Sequence, residues 1–501
     1  MELSIEQTCA LQQFENGDNL FITGEGGTGK TTLVKHLIRS CGRRNKKYQV
    51  CAMTGCAALL LGCNARTIHS WSGIRLAKGN LEDIVRSVLY NRKSNQSWNA
   101  VDILVIDEVS MMSKRIFDLL NEIGKRTRRN SKPFGGIQVV FCGDFYQLPP
   151  VCIGDEVDGD KMCFESAEWY KTFVLDNHIV LNTIFRQKDP LYKSILMQIR
   201  KGTIDAKAVA LLKAQVHRKI DSEKTNGCVP PKLYPRKAQV DNINNGMFRS
   251  LEGECFVYDY ISRTDCTTVL ETNVPLPYTE LQKCRKELTD EKKVSEVRNL
   301  LNNASCTSKL ELKTGTSVMC TVNLDMDNGI CNGSTGVVCD FVKRANIPFP
   351  IVQFSNGLKR EIPIKFWQSE EYPVVAIGQF PLCHAWAMTI HKIQGATLDM
   401  AEMDIGAGIF EYGQTYVALS RVRSLDGLYL TGFDPSKVKI NPKVQAFYDN
   451  IPEVEYEEEE VDLEEEKQKL LDETVKRIQL DDGLGFEEYT CPDENVKKIL
   501  L

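Results

Sequence analysis

Gly24-Glu25-Gly26-Gly27-Thr28-Gly29-Lys30-Thr31 fits G-x-x-x-x-G-K-[ST] and follows the apolar run Leu20-Phe21-Ile22. A strand that feeds a glycine-rich turn and then a helix presents backbone N–H groups to a polyphosphate, helped by the positive end of the helix. Lys30 would reach the β- and γ-phosphates, and the hydroxyl of Thr31 would ligate Mg²⁺. Gly24, Gly26, Gly27, Thr28, Gly29 and Thr32 complete the expected ATP cradle. A second constellation follows at Val101–Glu108, an apolar run ending in two carboxylates. There Asp107 would hold Mg²⁺, and Glu108 is placed to take a proton from an attacking water. Nucleotide hydrolysis, and not binding alone, is the chemistry these residues call for. Gln147, in Gly143-Asp144-Phe145-Tyr146-Gln147, ends a third strand where an amide could touch the γ-phosphate. Gln7, seventeen residues before the loop, offers an amide that could read the adenine edge.

These groups need parallel strands with helices between them, and the chain supplies that pattern. Helix Thr32–Ile38 follows the loop, and Tyr48–Met53 reads as a second buried strand. That strand runs into Thr54-Gly55 and then Thr67-Ile68-His69-Ser70-Trp71. Small and hydroxyl residues suit close approach to a phosphodiester backbone, and His69 and Trp71 could stack on bases. For the latter two, core packing is the competing reading.

Composition sets the bounds. The 501 residues allow about three domains. Hydrophobic content of 42% and charged content of 26% are those of a globular protein. No run of 18 apolar residues appears, so no membrane span is expected. The 18 cysteines are scattered and form no pair of C-x-x-C ligand sets. They read as buried thiols in a reducing compartment. The net charge of −5 is unevenly spread. Glu453 to Glu466 holds ten acidic residues and no basic one, leaving a mildly basic body of about +5.

The motifs taken together resemble the Pif-type DNA helicases of superfamily 1B, with RecD-like helicases as near relatives. The resemblance rests on GEGGTGKT, TGCAA with TIHSWSGI, VIDEVSMM and KPFGGIQVVFCGDFYQLPPV. It continues through LNTIFRQ, the segment from Leu312 to Gly336, WAMTIHKIQG and YVALSRVR, covering about residues 3 to 432. It implies an α/β fold with two RecA-like motor domains, a small wedge insertion and an inserted SH3-like β-barrel. The expected boundaries are 1–175 for the first motor, with the wedge at about 74–98, and 176–250 plus 376–445 for the second. The inserted domain falls at 251–375 and an acidic, partly helical tail at 446–501. The Asn356-Gly357 dipeptide between two short apolar runs marks a hairpin in the inserted part, and Leu281–Leu301 reads as a charged, solvent-facing helical arm.

By the same resemblance, Arg186 and Arg421 project from the second motor onto the γ-phosphate, with Arg423 a rival to Arg421. Thr389, His391 and Lys392 lie along single-stranded DNA. The implied activity is ATP-dependent 5′-to-3′ translocation on single-stranded DNA, with unwinding of duplex, forked or structured DNA such as a G-quadruplex, in replication, repair or recombination. ATP and Mg²⁺ are the implied cofactors, and a monomer is expected. The N-terminus lacks a secretory or arginine-rich pattern, so a nuclear or cytoplasmic site of DNA metabolism, cellular or viral, is expected. Two alternatives stay open: a RecD-like repair helicase, and an ATP-switched DNA-binding factor that recruits a protein partner through the acidic tail.

Overall fold

Apolar runs without alternation, such as the four residues Ile103–Ile106, suit strands of a parallel sheet covered by helices on both faces. The structure, a computed structural model, builds that sheet from six strands. These are β1 (Leu20–Gly24), β2 (Tyr48–Ala52), β3 (Arg66–Thr67), β4 (Ile103–Asp107), β5 (Gln138–Cys142) and β6 (His178–Leu181), in the order β3-β2-β4-β5-β1-β6. Every neighbouring pair is parallel. Residues 3–452 are described, except 62, 64, 76, 152–155, 188, 221–229, 271, 304–305, 326–327, 331, 370–371 and 396. The acidic run from Glu453 and the helix expected after it therefore lie outside the described residues.

The pleat divides the strands between two cores. Phe21, Leu104, Ile106, Val139 and Phe141 face one side, and Leu20, Ile22, Ile103, Val105 and Val140 the other. Helix α1 (Ile5–Asn16) is fixed at its start by a capping box between Ser4 and Gln7. Helix α2 (Lys30–Arg43) starts directly from the glycine loop, with no side chain capping its first turn. Its unpaired N–H groups stay available at the carboxyl edge of the sheet, where open α/β sheets bind ligands.

The segment from Met112 to Gly136 works as a clasp. Helix Lys114–Arg128 crosses the turn Pro133–Gly136 so closely that a Cβ on Gly124 would meet the Phe134 carbonyl carbon at 2.7 Å. Asn121 Oδ1 accepts from Phe134 N at 2.8 Å, and Arg128 donates to the carbonyls of Gly135 and Val101. Residues 74–98 hold helix Leu81–Tyr90 and most of helix Arg92–Ala100. Val85, Val88 and Trp98 bury these helices in the first core.

A second parallel sheet places Ala387–Thr389, β7 (Lys232–Tyr234), Ala401–Ile405 and Leu428–Phe433 side by side. Its own core joins Leu233, Met388, Met403 and Leu430 to Tyr192, Ile195 and Val417 of flanking helices. Between the chain segments of this sheet lies an antiparallel sheet, ordered 359–361, 347–354, 335–344, 317–320, 382–384. Strands Ile347–Phe354 and Lys359–Glu361 pair as the hairpin expected at Asn356-Gly357, where Gly357 takes φ +86°. Among the described residues no pairing joins the two edge strands of this sheet.

Two expectations change. The arm is two helices, Tyr278–Glu287 and Asp290–Asn303, and it is not wholly solvent-facing. Cys284, Leu288 and Val297 pack on Val375 and Ile377, because apolar residues recur on one side of an otherwise charged sequence. The chain also remains structured beyond residue 445. Helix Pro442–Asp449 returns to the first core, with Val444, Phe447 and Ile451 buried there.

Candidate functional site

The carboxyl ends of β1, β4 and β5 open onto a cavity of about 310 Å³. Lys30, Asp107, Glu108 and Gln147 line it from the first sheet, and Arg186 and Arg421 line it from beyond β6. All six residues expected to act on phosphate thus share one cavity. Gln7, Gly26, Gly27, Gly29, Thr31 and Thr32 line it as well. Gly24 and Thr28 lie behind it: Gly24 ends the buried strand, and Thr28 Oγ1 donates to Glu25 O at 3.0 Å.

Lys30 Nζ donates to the carbonyls of Gly24 (2.7 Å) and Glu25 (2.8 Å). Burial lowers its pKa, against the opposing pull of Asp144, Glu108 and Asp107. A lysine folded back on its own loop is satisfied without phosphate and can swing to it. Gly27 has φ +99°, and a Cβ there would meet Arg186 Cβ at 2.4 Å, so only glycine lets the two chain segments close. Gln7 donates to Thr28 O at 3.2 Å, while its Oε1 accepts from Ser4 N. The amide therefore braces the loop, in addition to lining the cavity.

Asp107 is 7% exposed. Burial, and then the neighbouring Glu108, raise its pKa to about 7. Glu108 sits in the left-handed region at φ 56°, ψ 41°, an uncommon place for a non-glycine residue. Gln147 is 4% exposed, and its Oε1 has no hydrogen-bond partner among the described residues. The residues fit a magnesium–nucleotide complex on three counts. The first turn of α2 is uncapped, Gln147 lines the cavity with its buried Oε1 unsatisfied among the described residues, and Glu108 crowds Asp107 with a repulsion that a cation would relieve. Thr31 and Asp107 would hold Mg²⁺, a cation that commonly takes only one or two carboxylates from protein.

Arg421 is 1% exposed, with Nε on Val417 O (2.9 Å) and Nη2 on Ser420 Oγ (2.7 Å). Arg186 Nη1 donates to Ser420 O at 3.4 Å, and burial followed by repulsion from Arg421 lowers its pKa to about 10. Glu108 acts electrostatically on both guanidinium groups, and a phosphate in the cavity would add further negative charge between them. Arg423 pairs instead with Asp399 at 3.1 Å on the exposed surface and does not line the cavity. Tyr416 is a contributor that the sequence reading passed over. Its Oη accepts from Gly26 N at 3.0 Å, although the residue stands within the quoted motif YVALSRVR.

The residues expected to meet DNA are placed unevenly. Thr54 Oγ1 accepts from Ala57 N at 3.1 Å at the start of helix Gly55–Leu61. His69 is half-buried, and burial lowers its pKa. Trp71 is a correction. It is 4% exposed, tilted against Trp98 at 4.8 Å in the first core, and has no free face for a base. Thr389 ends strand Ala387–Thr389 and is half-buried, and Lys392 is exposed with Nζ 3.2 Å from Cys383 Sγ. His391 stacks on Phe410 with ring centroids 6.3 Å apart.

The family profile described as PIF1-like helicase matches residues 2–209, and that of the DNA helicase Pif1 2B domain matches residues 297–341. The chain is 34% identical to the ATP-dependent DNA helicase PIF1 of Danio rerio over 450 residues, 89% of this chain and 64% of that protein. It is 30% identical to the uncharacterized protein 030L of Invertebrate iridescent virus 6, covering 94% of it. The chain thus spans less than two thirds of the PIF1 relatives, such as 61% of the Emericella nidulans protein, but nearly all of the viral one. Among solved structures, Pif1 helicase from Candida albicans superposes with TM-score 0.73 at 34% identity, covering 90% of this chain and 100% of that chain. Bacteroides Pif1 in complex with ADP-AlF4 gives 0.67 at 27% identity, with 90% and 97% covered. With loop, carboxylates and paired arginines in one cavity and likeness along nine tenths of its length, this chain belongs to the PIF1-like helicase family.

Proposed function

We propose that this protein is an ATP-dependent DNA helicase that translocates 5′ to 3′ on single-stranded DNA and opens duplex, forked or structured DNA. One observation carries the reading: Lys30, Asp107, Glu108 and Gln147 share a cavity with Arg186 and Arg421, which come from beyond the first sheet. A nucleotide there would be held from both sides, so its binding and loss would draw the two parallel sheets together and release them. Thr31 and Asp107 would hold Mg²⁺, which would supply positive charge against the phosphates. Glu108 takes the proton of the attacking water, and Arg186 and Arg421 stabilise charge on the transferred group. Gln147 senses the γ-phosphate. Thr54, Gly55, His69, Thr389, His391 and Lys392 form the DNA track, and Trp71 supports it from the core.

Support for DNA as the substrate comes from similar solved structures, Bacteroides Pif1 bound to single-stranded DNA and coordinating Pif1 helicases that unwind forked double-stranded DNA. The segment at 74–98 is proposed as the wedge, the 251–375 region as an insertion with an SH3-like module, and the protein as a monomer in replication, repair or recombination at a nuclear or cytoplasmic site. The acidic tail is proposed as a partner-binding segment. The test is ATP-driven strand separation on two partial duplexes that differ only in a 5′ or a 3′ tail, with Lys30→Ala as the blank. Opening of the 5′-tailed substrate alone is the expected result. Opening of the 3′-tailed substrate alone would overturn the polarity, and DNA-stimulated ATPase without opening would favour the ATP-switched factor.

A further inference from the structure

Gln394 ties the segment assigned to DNA to the residue assigned to water activation. Its Nε2 donates to Glu108 Oε2 at 3.1 Å. The side chain is 7% exposed, and its own Oε1 has no partner among the described residues, so this bond is the polar contact that fixes its end. The backbone around it is a tight turn, with Lys392 N on Thr389 O (3.0 Å) and Gln394 N on His391 O (3.3 Å). Gly395, the next residue, lines the same cavity as Glu108. One short stretch thus begins at Thr389, His391 and Lys392 and ends on the carboxylate.

A carboxylate that accepts an amide N–H has one oxygen fewer for water, and so is less available to take its proton. Glu108 is also fixed in a left-handed backbone conformation, so its side chain has few alternative ways to reach the cavity. We propose that Gln394 is a positioning residue that restrains Glu108 while the DNA track is empty. Single-stranded DNA on Thr389–Lys392 displaces the turn, breaks the Gln394–Glu108 bond and frees the base. The inference rests on the helicase reading, and it names how DNA occupancy governs hydrolysis at the same site.

The test is steady-state ATPase of the full chain with and without single-stranded oligothymidine, comparing the parent with Gln394→Met. Methionine keeps length and apolar bulk and removes the N–H donor. Loss of one hydrogen bond to a charged group is on the order of 1.5–3 kcal/mol, so DNA-independent turnover should rise about tenfold or more. The DNA-stimulated rate and the KM for ATP should stay near parental, so the stimulation ratio collapses. DNA affinity, read by fluorescence anisotropy of a labelled oligothymidine, should tighten by a similar factor, because DNA no longer has to break the bond on binding. Gln394→Ala serves as the second variant should methionine disturb folding, with the same expected ratio. A parental stimulation ratio in either folded variant, or a fall in both rates, would overturn the inference. A parent chain that DNA does not stimulate would instead sink the helicase reading beneath it.

Discussion

Tyr448 Oη lies 2.6 Å from Thr23 Oγ1, joining residues 425 positions apart in the chain. The same hydroxyl accepts from Phe145 N at 3.0 Å, and its ring stacks on Tyr146 at 4.7 Å. Helix Pro442–Asp449 therefore fastens the end of β1, where the phosphate loop begins, to the turn that carries Gln147. Beside it, Phe447 packs edge-on to Phe21 and Phe145 and stacks on Phe164 at 4.4 Å.

Removing that helix's anchor should cost the first motor its stability. Phe447→Ala empties a fully packed aromatic site and should destabilise by about 3–5 kcal/mol. Tyr448→Phe keeps the ring but leaves the buried Thr23 hydroxyl without this partner, at about 1–3 kcal/mol. Urea unfolding followed by tryptophan fluorescence reads both, since Trp169 lies in contact with Phe447. An unchanged midpoint for Phe447→Ala would show that the helix is not part of the fold's core.

Arg200 and Asp144 form a two-point ion pair at 2.9 and 3.1 Å, with side chains 9% and 0% exposed. Arg200 also lies over the rings of Tyr146 (4.5 Å) and Tyr448 (5.4 Å). Arg200→Ala leaves Asp144 buried and uncompensated, with an expected loss of about 3–5 kcal/mol. Arg200→Lys should recover less than half of it, because a point charge cannot match the planar fork or the stacking. Chemical denaturation of the three proteins decides this, and full recovery by lysine would refute the two-point account.

Much of the site was legible because each motif is local. GEGGTGKT needs only β1 and the start of α2, and Asp107-Glu108 needs only the end of β4. What escaped depends on contacts between distant segments. Trp71 has the residue type of a base-stacking platform, and only the arrival of Trp98 on helix Arg92–Ala100 consigns it to the core. Gln394 and Glu108 are 286 residues apart and meet only when both sheets are in place. Helix Pro442–Asp449 abuts an acidic run in sequence, and its aromatic pair reads as incidental until the first core is seen to receive it. The charged arm likewise shows its buried side only against Val375 and Ile377.

His178 supplies the pH dependence. It is 2% exposed, and its Nε2 accepts from Trp169 Nε1 at 3.1 Å, which leaves Nδ1 to donate to Val174 O at 2.9 Å. That is the neutral tautomer, and burial lowers the pKa from 6.5. With the folded pKa below the unfolded one, the unfolded chain binds more protons in the window between them. Stability is therefore fully present above pH 6.5 and lost as pH falls through the folded value. His178→Gln retains a side-chain acceptor for Trp169 without a titrating ring. Its unfolding free energy should fall less steeply than the parent's on acidification below pH 6.5, as measured by urea titrations at stepped pH. Parallel pH profiles would exclude His178 as a source of acid sensitivity.

Arg421 and Arg423 separate chemistry from surface pairing within three residues. Arg421 is buried at the cavity, where a Cβ built on Gly26 would lie 3.5 Å from its Nη2. Arg423 has a side chain 62% exposed, paired with a still more open Asp399. A guanidinium that stabilises charge developing on a transferred phosphoryl group is worth about a thousandfold or more in turnover. Arg421→Ala should therefore lower the kcat of DNA-stimulated ATP hydrolysis by that order, with a much smaller change in KM. Arg186→Ala should do likewise, and the double variant should cost far less than the product of the two, because both groups act on the same charge. Arg423→Ala removes only an exposed ion pair and should change kcat by less than about fivefold. Steady-state ATPase on single-stranded DNA with the parent and all four variants checks the set. A large kcat loss for Arg423→Ala beside a mild one for Arg421→Ala would reverse the assignment of the two residues.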